Sequence, residues 1–303
     1  MAKVKKVYEN MDLLPIGRTS EKITAGCLCL EGGAWKGLYT VGVLDALMEE
    51  DISFHTNVGV SAGAMSLLGY LSGQIGWSIR TDLGFRHDPK YCGFSVAPKE
   101  HSVTGFQYLY KEICQKKHPL DIERFRQSPM RLVAVACNMF TGESEYFEKG
   151  KCNITKAISA SAMVPYVSRP VVMNGIPYLD GGCSDKIPYD WAKNCSGERK
   201  IVVVKTRERE YRRSEEPKKA AKIFYRKYPN FVRALNNTNR KFNQMTEDLL
   251  EDEKAGKIFL LAPSKPVTVT RFDPDLEKLA DLYFLGYRDM KNRMDELKDY
   301  LRN

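Results

Sequence analysis

Gly59-Val60-Ser61-Ala62-Gly63 encloses one hydroxyl in small residues and is the first place where chemistry could sit. Asn57-Val58-Gly59-Val60 reads as the end of a short strand, and AGAMSLLGYLSG (62–73) as a helix of small residues. A serine at such a strand-to-helix turn stands in strained backbone, and its small neighbours let strand and helix pass closely. The helix start adds free backbone N–H groups and a positive dipole end. A tight turn without chemistry is the competing reading.

Glu31-Gly32-Gly33-Ala34-Trp35-Lys36-Gly37 also falls between a predicted strand and a predicted helix. Ester hydrolysis passes through a tetrahedral oxyanion, and a glycine-rich loop can aim backbone N–H groups at that oxygen with no side chain in the way. The phosphate-cradling P-loop pattern fails because Lys36 precedes its glycine. The dinucleotide fingerprint fails because Ala34 stands where the second glycine belongs. A structural glycine turn competes here too.

A serine nucleophile needs a base. No histidine follows His118, and His55 lies six residues before Ser61, across the strand and too far from the hydroxyl. A rigidly held carboxylate can accept the hydroxyl proton instead. Asp180-Gly181-Gly182 offers one, an acid closing a short apolar strand before two glycines. A plain Asp-Gly turn is the alternative.

These groups need a scaffold. ITAGCLCLEGG (23–33) reads as a buried strand entering a glycine turn, and WKGLYTVGVLDALMEED (35–51) as a mostly buried helix. RLVAVACNM (131–139) and KIVVVKT (200–206) are further buried strands, with TGESEYFEKG paired or turned beside the first. TKAISASAM (155–163) is helical and ends before Pro165. PVVMNGIPYLDGG (170–182) gives two extended pieces joined at Asn174-Gly175, a hairpin signal. In 230–253, Phe231, Leu235, Thr238, Phe242, Met245 and Leu249 share one helix face. KIFLLAP (257–263) is a last strand, and Asp273-Pro274 is expected to open a final helix as cap and first residue. Strand, helix, strand, helix is the start of a parallel α/β sheet with crossover helices. Residues 74–129 hold His87, His101, His118 and scattered aromatics with weak periodicity, and specificity is expected to be set there.

In order, the loop (Gly32, Gly33, Ala34, Lys36, Gly37), the G-V-S-A-G elbow and the D-G-G motif resemble the patatin-like phospholipase family. The resemblance runs from about Ile23 to Val204, and Ala160-Ser161-Ala162-Met163-Val164-Pro165 matches a helix-ending stretch common in that family. The loop is similar to bacterial members that read E-G-G-x-x-[RK]-G. The resemblance implies a three-layer α/β/α fold with a mainly parallel central sheet. It also implies a Ser-Asp dyad that hydrolyses acyl esters of lipids, phospholipase A-like, through a covalent acyl-enzyme. Ser61 would be the nucleophile and Asp180 the base, with backbone N–H groups at Gly32, Gly33 and Ala34 as the oxyanion hole. Lys36, Gly37, Gly59, Gly63, Gly181 and Gly182 would support the motifs, and no cofactor or metal is implied. Ala34 departs from the third glycine of many members; if that position needs φ > 0, its methyl costs stability or shifts a donor. The expected division is an N-terminal extension (1–22), a catalytic core (23–206) and a basic helical C-terminal region packed on it (207–303). An acyltransferase with the same dyad, and a non-catalytic membrane- or partner-binding protein on this fold, remain the other readings.

With 303 residues, 43% of them apolar, the chain can bury a large core. It has no eighteen-residue apolar run, and its basic start lacks a signal peptide's apolar stretch, so a cytoplasmic protein is expected. Eight scattered cysteines without C-x-x-C spacing read as buried free thiols, with Cys27 and Cys29 on one strand face. The net charge of +9 is local: residues 205–241 carry 13 Lys+Arg against 4 Asp+Glu. A solvated helical face, peripheral contact with an anionic membrane, and nucleic-acid binding compete for that stretch; nucleic acid is not expected, because no recognised module accompanies the charge. Phe224, Tyr225, Tyr228 and Phe231 within it could pack as a lid over an acyl site.

Overall fold

The central sheet of the computed structural model, which describes residues 7–303, has eight strands. They are β1 (Thr24–Leu30), β2 (Phe54–Val60), β3 (Arg131–Asn138), β4 (Ser144–Glu148), β5 (Val171–Met173), β6 (Ile176–Asp180), β7 (Ile201–Val204) and β8 (Ile258–Leu261). Residues 1–6 of the expected N-terminal extension lie outside the described residues. Strands β8, β7, β1, β2 and β3 pair side by side and run parallel. β4 and β6 pair antiparallel with β3, and β5 with β6.

Strands covered on both faces are apolar at every position, and successive side chains alternate between the two cores. Leu28, Leu30, Leu132, Ala134, Val202 and Val204 enter one core, while Cys27, Cys29, Val133, Val135, Ile201 and Val203 enter the other. Helices α1 (Leu38–Glu49), α2 (Ala62–Leu71), α3 (Trp77–Phe85) and α4 (Ile154–Ser161) pack on the first. α5 (Tyr189–Cys195) packs on the second. The long helix α6 (Pro229–Lys254) begins with Phe231 and Leu235 in the first core and ends with Phe242 and Leu249 in the second. α7 (Leu276–Asn292) returns to the first core. The architecture is three layers, α/β/α, with its sheet mainly parallel.

α1 and α7 cross at backbone contact. A Cβ at Gly42 would overlap the carbonyl oxygen of Tyr283, and one at Gly286 would overlap that of Tyr39. Beside the crossing, the buried Asp45 carboxylate accepts from Gly76 N at 2.9 Å and Tyr283 Oη at 2.8 Å. Burial pushes its pKa up to about 7.

The last long helix does not open at Asp273-Pro274. Asp275 is its cap, accepting from Glu277 N at 3.0 Å and Lys278 N at 3.2 Å. Asp273 instead accepts from Thr270 N at 3.0 Å and Lys278 Nζ at 2.8 Å, bracing the preceding loop. The strand expected at 257–263 forms as β8 within the helical C-terminal region, pairing in register with β7 and extending the parallel sheet. Cys27, Cys29, Cys114, Cys137 and Cys183 are buried thiols, but Cys152 and Cys195 are exposed. No helix among the described residues is long and apolar enough to cross a membrane.

Gly286→Ala should lower the free energy of unfolding by about 2–3 kcal/mol, since overpacking against backbone cannot relax through a rotamer change. The measurement is a lower urea midpoint at unchanged m value.

Candidate active site

One edge of β3 carries two strand ends. Val60, the last residue of β2, pairs with Val135, and Asp180, the last residue of β6, pairs with Ala136. β4 occupies the opposite edge, where Tyr146 faces Val135 and Glu145 faces Ala136. β2 and β6 therefore run toward each other and stop at adjacent positions. Residues 119 apart in sequence meet there: Ser61 Oγ donates to Asp180 Oδ2 at 2.7 Å.

The Ser61 backbone is strained, with φ 55° and ψ −119°. β2 and α2 pass so closely that a Cβ on Gly59 would lie 2.6 Å from the Gly63 carbonyl carbon, and α2 meets β1 as closely, since a Cβ on Gly63 would lie 2.8 Å from Leu30 O. Ser61 N donates to Ser161 Oγ at 2.8 Å, so the end of α4 fixes the turn. Asp180 is held as firmly: its Oδ1 accepts from Gly182 N at 2.8 Å, and its N donates to Met163 O at 3.0 Å. Gly181 lies flat against Val135 O, where a Cβ would overlap it. Gly182 O in turn accepts from Lys186 Nζ at 2.6 Å and from Thr238 Oγ1 of α6 at 3.0 Å. Burial raises the Asp180 pKa; the hydrogen bonds from Ser61 and Gly182 and the charges of Lys186 and Arg271 oppose it without cancelling it.

The glycine loop packs on this pair. Gly32 borders Val60 and Ser61, Gly33 backs onto Thr206, and Gly37 abuts Ala62. Gly32 N–H is already engaged, donating to Lys186 O at 3.1 Å. Gly33 N, Ala34 N and Trp35 N donate to no acceptor among the described residues, so Gly33 and Ala34 are among the loop's free donors. Ala34 has φ 49°, so the residue in the third-glycine position does adopt the left-handed conformation. Below the loop, fully buried Glu31 accepts from Thr206 N at 2.7 Å. Lys36 follows, half-buried, its pKa pushed down to about 8 by burial and by the charges of Arg207, Arg271 and Arg213.

Ser61 and Ala34 line a cavity of about 120 Å³. Its walls are largely apolar, with Trp35, Leu38, Met65, Leu68, Val103 and Phe272 among them. The region the sequence left unread supplies one side through Trp77, Tyr91, Val103 and Leu109. Among the described residues no histidine lines this cavity; His55 Nδ1 instead pairs with Glu198 at 2.6 Å near the start of β2. The structure also brings Ser161, Lys186, Thr238 and Arg271 to the site. Only Ser161 had a sequence signal, its place in the A-S-A-M-V-P stretch.

A parallel α/β/α protein with a strained serine and a carboxylate at the carboxyl ends of its strands belongs to the class that binds ligands at that edge. More specifically, the chain belongs to the patatin-like phospholipase family, whose model matches residues 28–193. Residues 228–302 match a second family, described as a domain of unknown function (DUF6363). The chain is similar to the uncharacterized protein YjjU of Escherichia coli, with 29% identity over 59% of this chain and 51% of that protein. It is 25% identical to the probable lipid hydrolase 463L of Invertebrate iridescent virus 6, over 54% of this chain and 62% of that protein. The chain thus spans about half to three-fifths of the length of these curated relatives. VipD from Legionella pneumophila superposes on 98% of this chain and 72% of its own at a TM-score of 0.51 and 17% identity, a likeness of fold.

A raised Asp180 pKa has a readable sign. A carboxyl must be ionised to accept the Ser61 proton, so the loss of serine reactivity on acidification should begin at a higher pH than the 3.8 of an ordinary aspartate. The rate of fluorophosphonate labelling against pH measures this; a midpoint at or below 3.8 would contradict it.

Proposed function

We propose that the protein is a serine acyl hydrolase of lipid or small carboxylic esters that works through a Ser61–Asp180 dyad and an acyl-enzyme. The observation carrying this reading is the 2.7 Å hydrogen bond from Ser61 Oγ to Asp180 Oδ2 on the wall of an apolar cavity. Ser61 Oγ attacks the ester carbonyl carbon while Asp180 takes its proton. The carbonyl oxygen gains the electron pair and is stabilised by the amides of Gly33 and Ala34. The C–O bond breaks, the departing alkoxide takes the proton from Asp180, and the acyl group stays on Ser61. Water then attacks the acyl carbon, Asp180 accepts its proton and returns it to Ser61 Oγ, and the carboxylic acid leaves. An alcohol in place of that water would give acyl transfer by the same steps.

Purified protein should hydrolyse p-nitrophenyl butyrate and label with a fluorophosphonate. Ser61→Ala should cut hydrolysis on the order of 10³-fold or more and abolish labelling. Asp180→Asn should cost about 10²- to 10⁴-fold while leaving the melting temperature close to wild type. Retained turnover in Ser61→Ala would reject the mechanism. Product partition with added glycerol measures transfer against hydrolysis.

Peripheral contact with an anionic bilayer is favoured by a separate observation. From Pro217 to Thr246 the chain has no Asp or Glu and eight Lys+Arg. Ile223 and Phe224 stand 76% and 64% exposed in the midst of Lys219, Lys222, Arg226 and Lys227. Phe224 packs edge-on against Tyr166 at 5.4 Å, two residues from Val164 of the cavity wall. Each cation near such a surface contributes about 1 kcal/mol, and buried apolar side chains add to it. Co-sedimentation should be strong with phosphatidylglycerol vesicles, weak with phosphatidylcholine vesicles and reduced by salt. Phe224→Asp should lower the bound fraction severalfold; equal binding to both vesicle types would exclude this mode.

A further inference from the structure

The cavity beside Ser61 is apolar over most of its lining and polar in one patch. It follows α2 from Ser61 to Leu68, about 10 Å by the rise of the helix. α3 meets the far end of that path, where a Cβ on Gly69 would lie 2.6 Å from Ser78 Oγ. Ser78, Thr81 and Asp82 recur at three- and four-residue spacing along α3, so they share one face, and all three line the cavity. Tyr91, from the segment that follows, lines it as well.

Two groups in this patch are uncommitted. Thr81 is 2% exposed, and its buried Oγ1 has no hydrogen-bond partner among the described residues. A helical threonine can turn its hydroxyl back to the carbonyl four residues earlier, and Thr81 does not. Asp82 Oδ1 accepts from Tyr91 Oη at 3.0 Å, while Asp82 Oδ2 accepts from no donor among the described residues. Asp82 keeps some accessible surface, yet burial pushes its carboxyl up to about 7 against the Tyr91 hydrogen bond and the charge of Arg86. The surface it keeps therefore belongs to the cavity and not to the outside of the protein. Bracing the Tyr91 ring accounts for Oδ1; it gives no use to Oδ2 or to the Thr81 hydroxyl.

The chemistry of a matching group follows from what is already supplied. Arg86, one turn beyond Asp82, provides the opposing charge. Its guanidinium is held elsewhere: Nε donates to Asp273 O at 2.8 Å, Nη2 donates to Phe272 O at 3.0 Å, and the group lies 4.7 Å over the Trp35 ring. Arg86 thus offsets the charge of Asp82 without occupying its free oxygen. A neutral group that both donates and accepts fits the remainder. A hydroxyl can donate to Asp82 Oδ2 and accept from Thr81 Oγ1, whereas an ammonium only donates. A plain methylene chain would seal both groups from water with no bond in exchange, which is unfavourable for each.

We propose that Thr81 and Asp82 form a hydroxyl-recognition subsite in the acyl cavity, selecting acyl groups that carry a hydroxyl along the chain. The inference rests on the hydrolase reading of Ser61 and specifies the acyl side of its ester, whatever alcohol departs. Leu38, Leu68 and Val103 hold the carbon chain, and α3 reads the hydroxyl. A site built to hydrogen-bond a substrate hydroxyl rejects the analogue without it far more strongly than an apolar pocket separates chains differing by one carbon.

Glycerol monoesters of octanoic acid, with a hydroxyl walked from the third carbon to the last, test this against the plain octanoyl ester. At one position or two adjacent ones, kcat/KM should exceed that of the plain ester by about tenfold or more. Thr81→Val keeps the shape and removes an unpartnered hydroxyl, so it should melt at or above the wild-type temperature while lowering that preference about fivefold. Asp82→Leu combined with Tyr91→Phe removes both members of one hydrogen bond, stranding neither, and should abolish the preference. A plain ester favoured over every hydroxy ester, or a preference unchanged in both variants, would overturn the subsite. An amino-bearing chain preferred over its hydroxy counterpart would overturn the hydroxyl assignment in favour of a cation site at Asp82. In Ser61→Ala, calorimetry with hydroxyoctanoic and octanoic acids reads the subsite without turnover. Tighter binding of a hydroxy acid by a protein that hydrolyses no ester would support the subsite and overturn the hydrolase reading; equal binding of the two acids would overturn the subsite.

Discussion

The edge of β3 between Val135 and Ala136 is where the site is decided, because β2 and β6 both end on it from opposite directions. Strand side chains alternate, so a one-residue slip of β6 would turn Asp180 to the other face and away from Ser61. That register is fixed upstream by a two-residue turn: Asn174 and Gly175 have φ 50° and 79°, and Met173 pairs with Ile176 across them. Both turn residues take positive φ, as a tight hairpin of matching twist demands. An asparagine-glycine dipeptide thus positions a carboxylate several residues away, and that carboxylate meets a serine whose own position is set by the crossing of β2 and α2.

Two kinds of environment meet at this edge. On one side is an apolar cavity lined from α1, α2 and the region after residue 74. Beside Asp180 are two cations, Lys186 after the D-G-G turn and Arg271 before α7. The Asp180 pKa is raised by burial and held in check by both. The residues matched by the patatin-like family include Ser61, Asp180 and the glycine loop. The segment matched by the second family reaches the same turn, because Thr238 ties down Gly182, two residues after Asp180.

Much of this was legible because close approach leaves a local trace. Where strand, helix and loop pass within contact distance only the smallest residues fit, and Gly59, Gly63, Gly32 and Gly181 announce those crossings in the sequence. The strands were legible for a similar reason, since covering both faces forces continuous apolar runs. Other features had no such trace. Asp273 and Asp275 are both plausible caps by type; Asp273 is drawn into bracing Thr270 and Lys278, a choice made by tertiary contacts. The segment from Arg207 to Lys218 has no period, so nothing in its composition set its half-buried cations apart from the exposed Lys219, Lys222, Arg226 and Lys227 that follow. Residues 74–129 were unreadable because they fold as short pieces, among them a single turn at Ala97–Glu100 and a π-helix over Leu109–Lys117, and neither leaves the 3.6-residue stripe that marks an amphipathic helix.

β1 lies between β2 and β7, and β7 is in turn the platform for β8. During synthesis the second edge of β1 has no partner until residue 204 has left the ribosome, and the sheet is not closed off until residue 261. Unpaired edges of apolar parallel strands invite association between chains, and pairings this distant in sequence form slowly. The nascent chain therefore carries an adhesive edge for most of its translation, and it is a protein whose yield should depend on chaperones more than its finished stability would suggest.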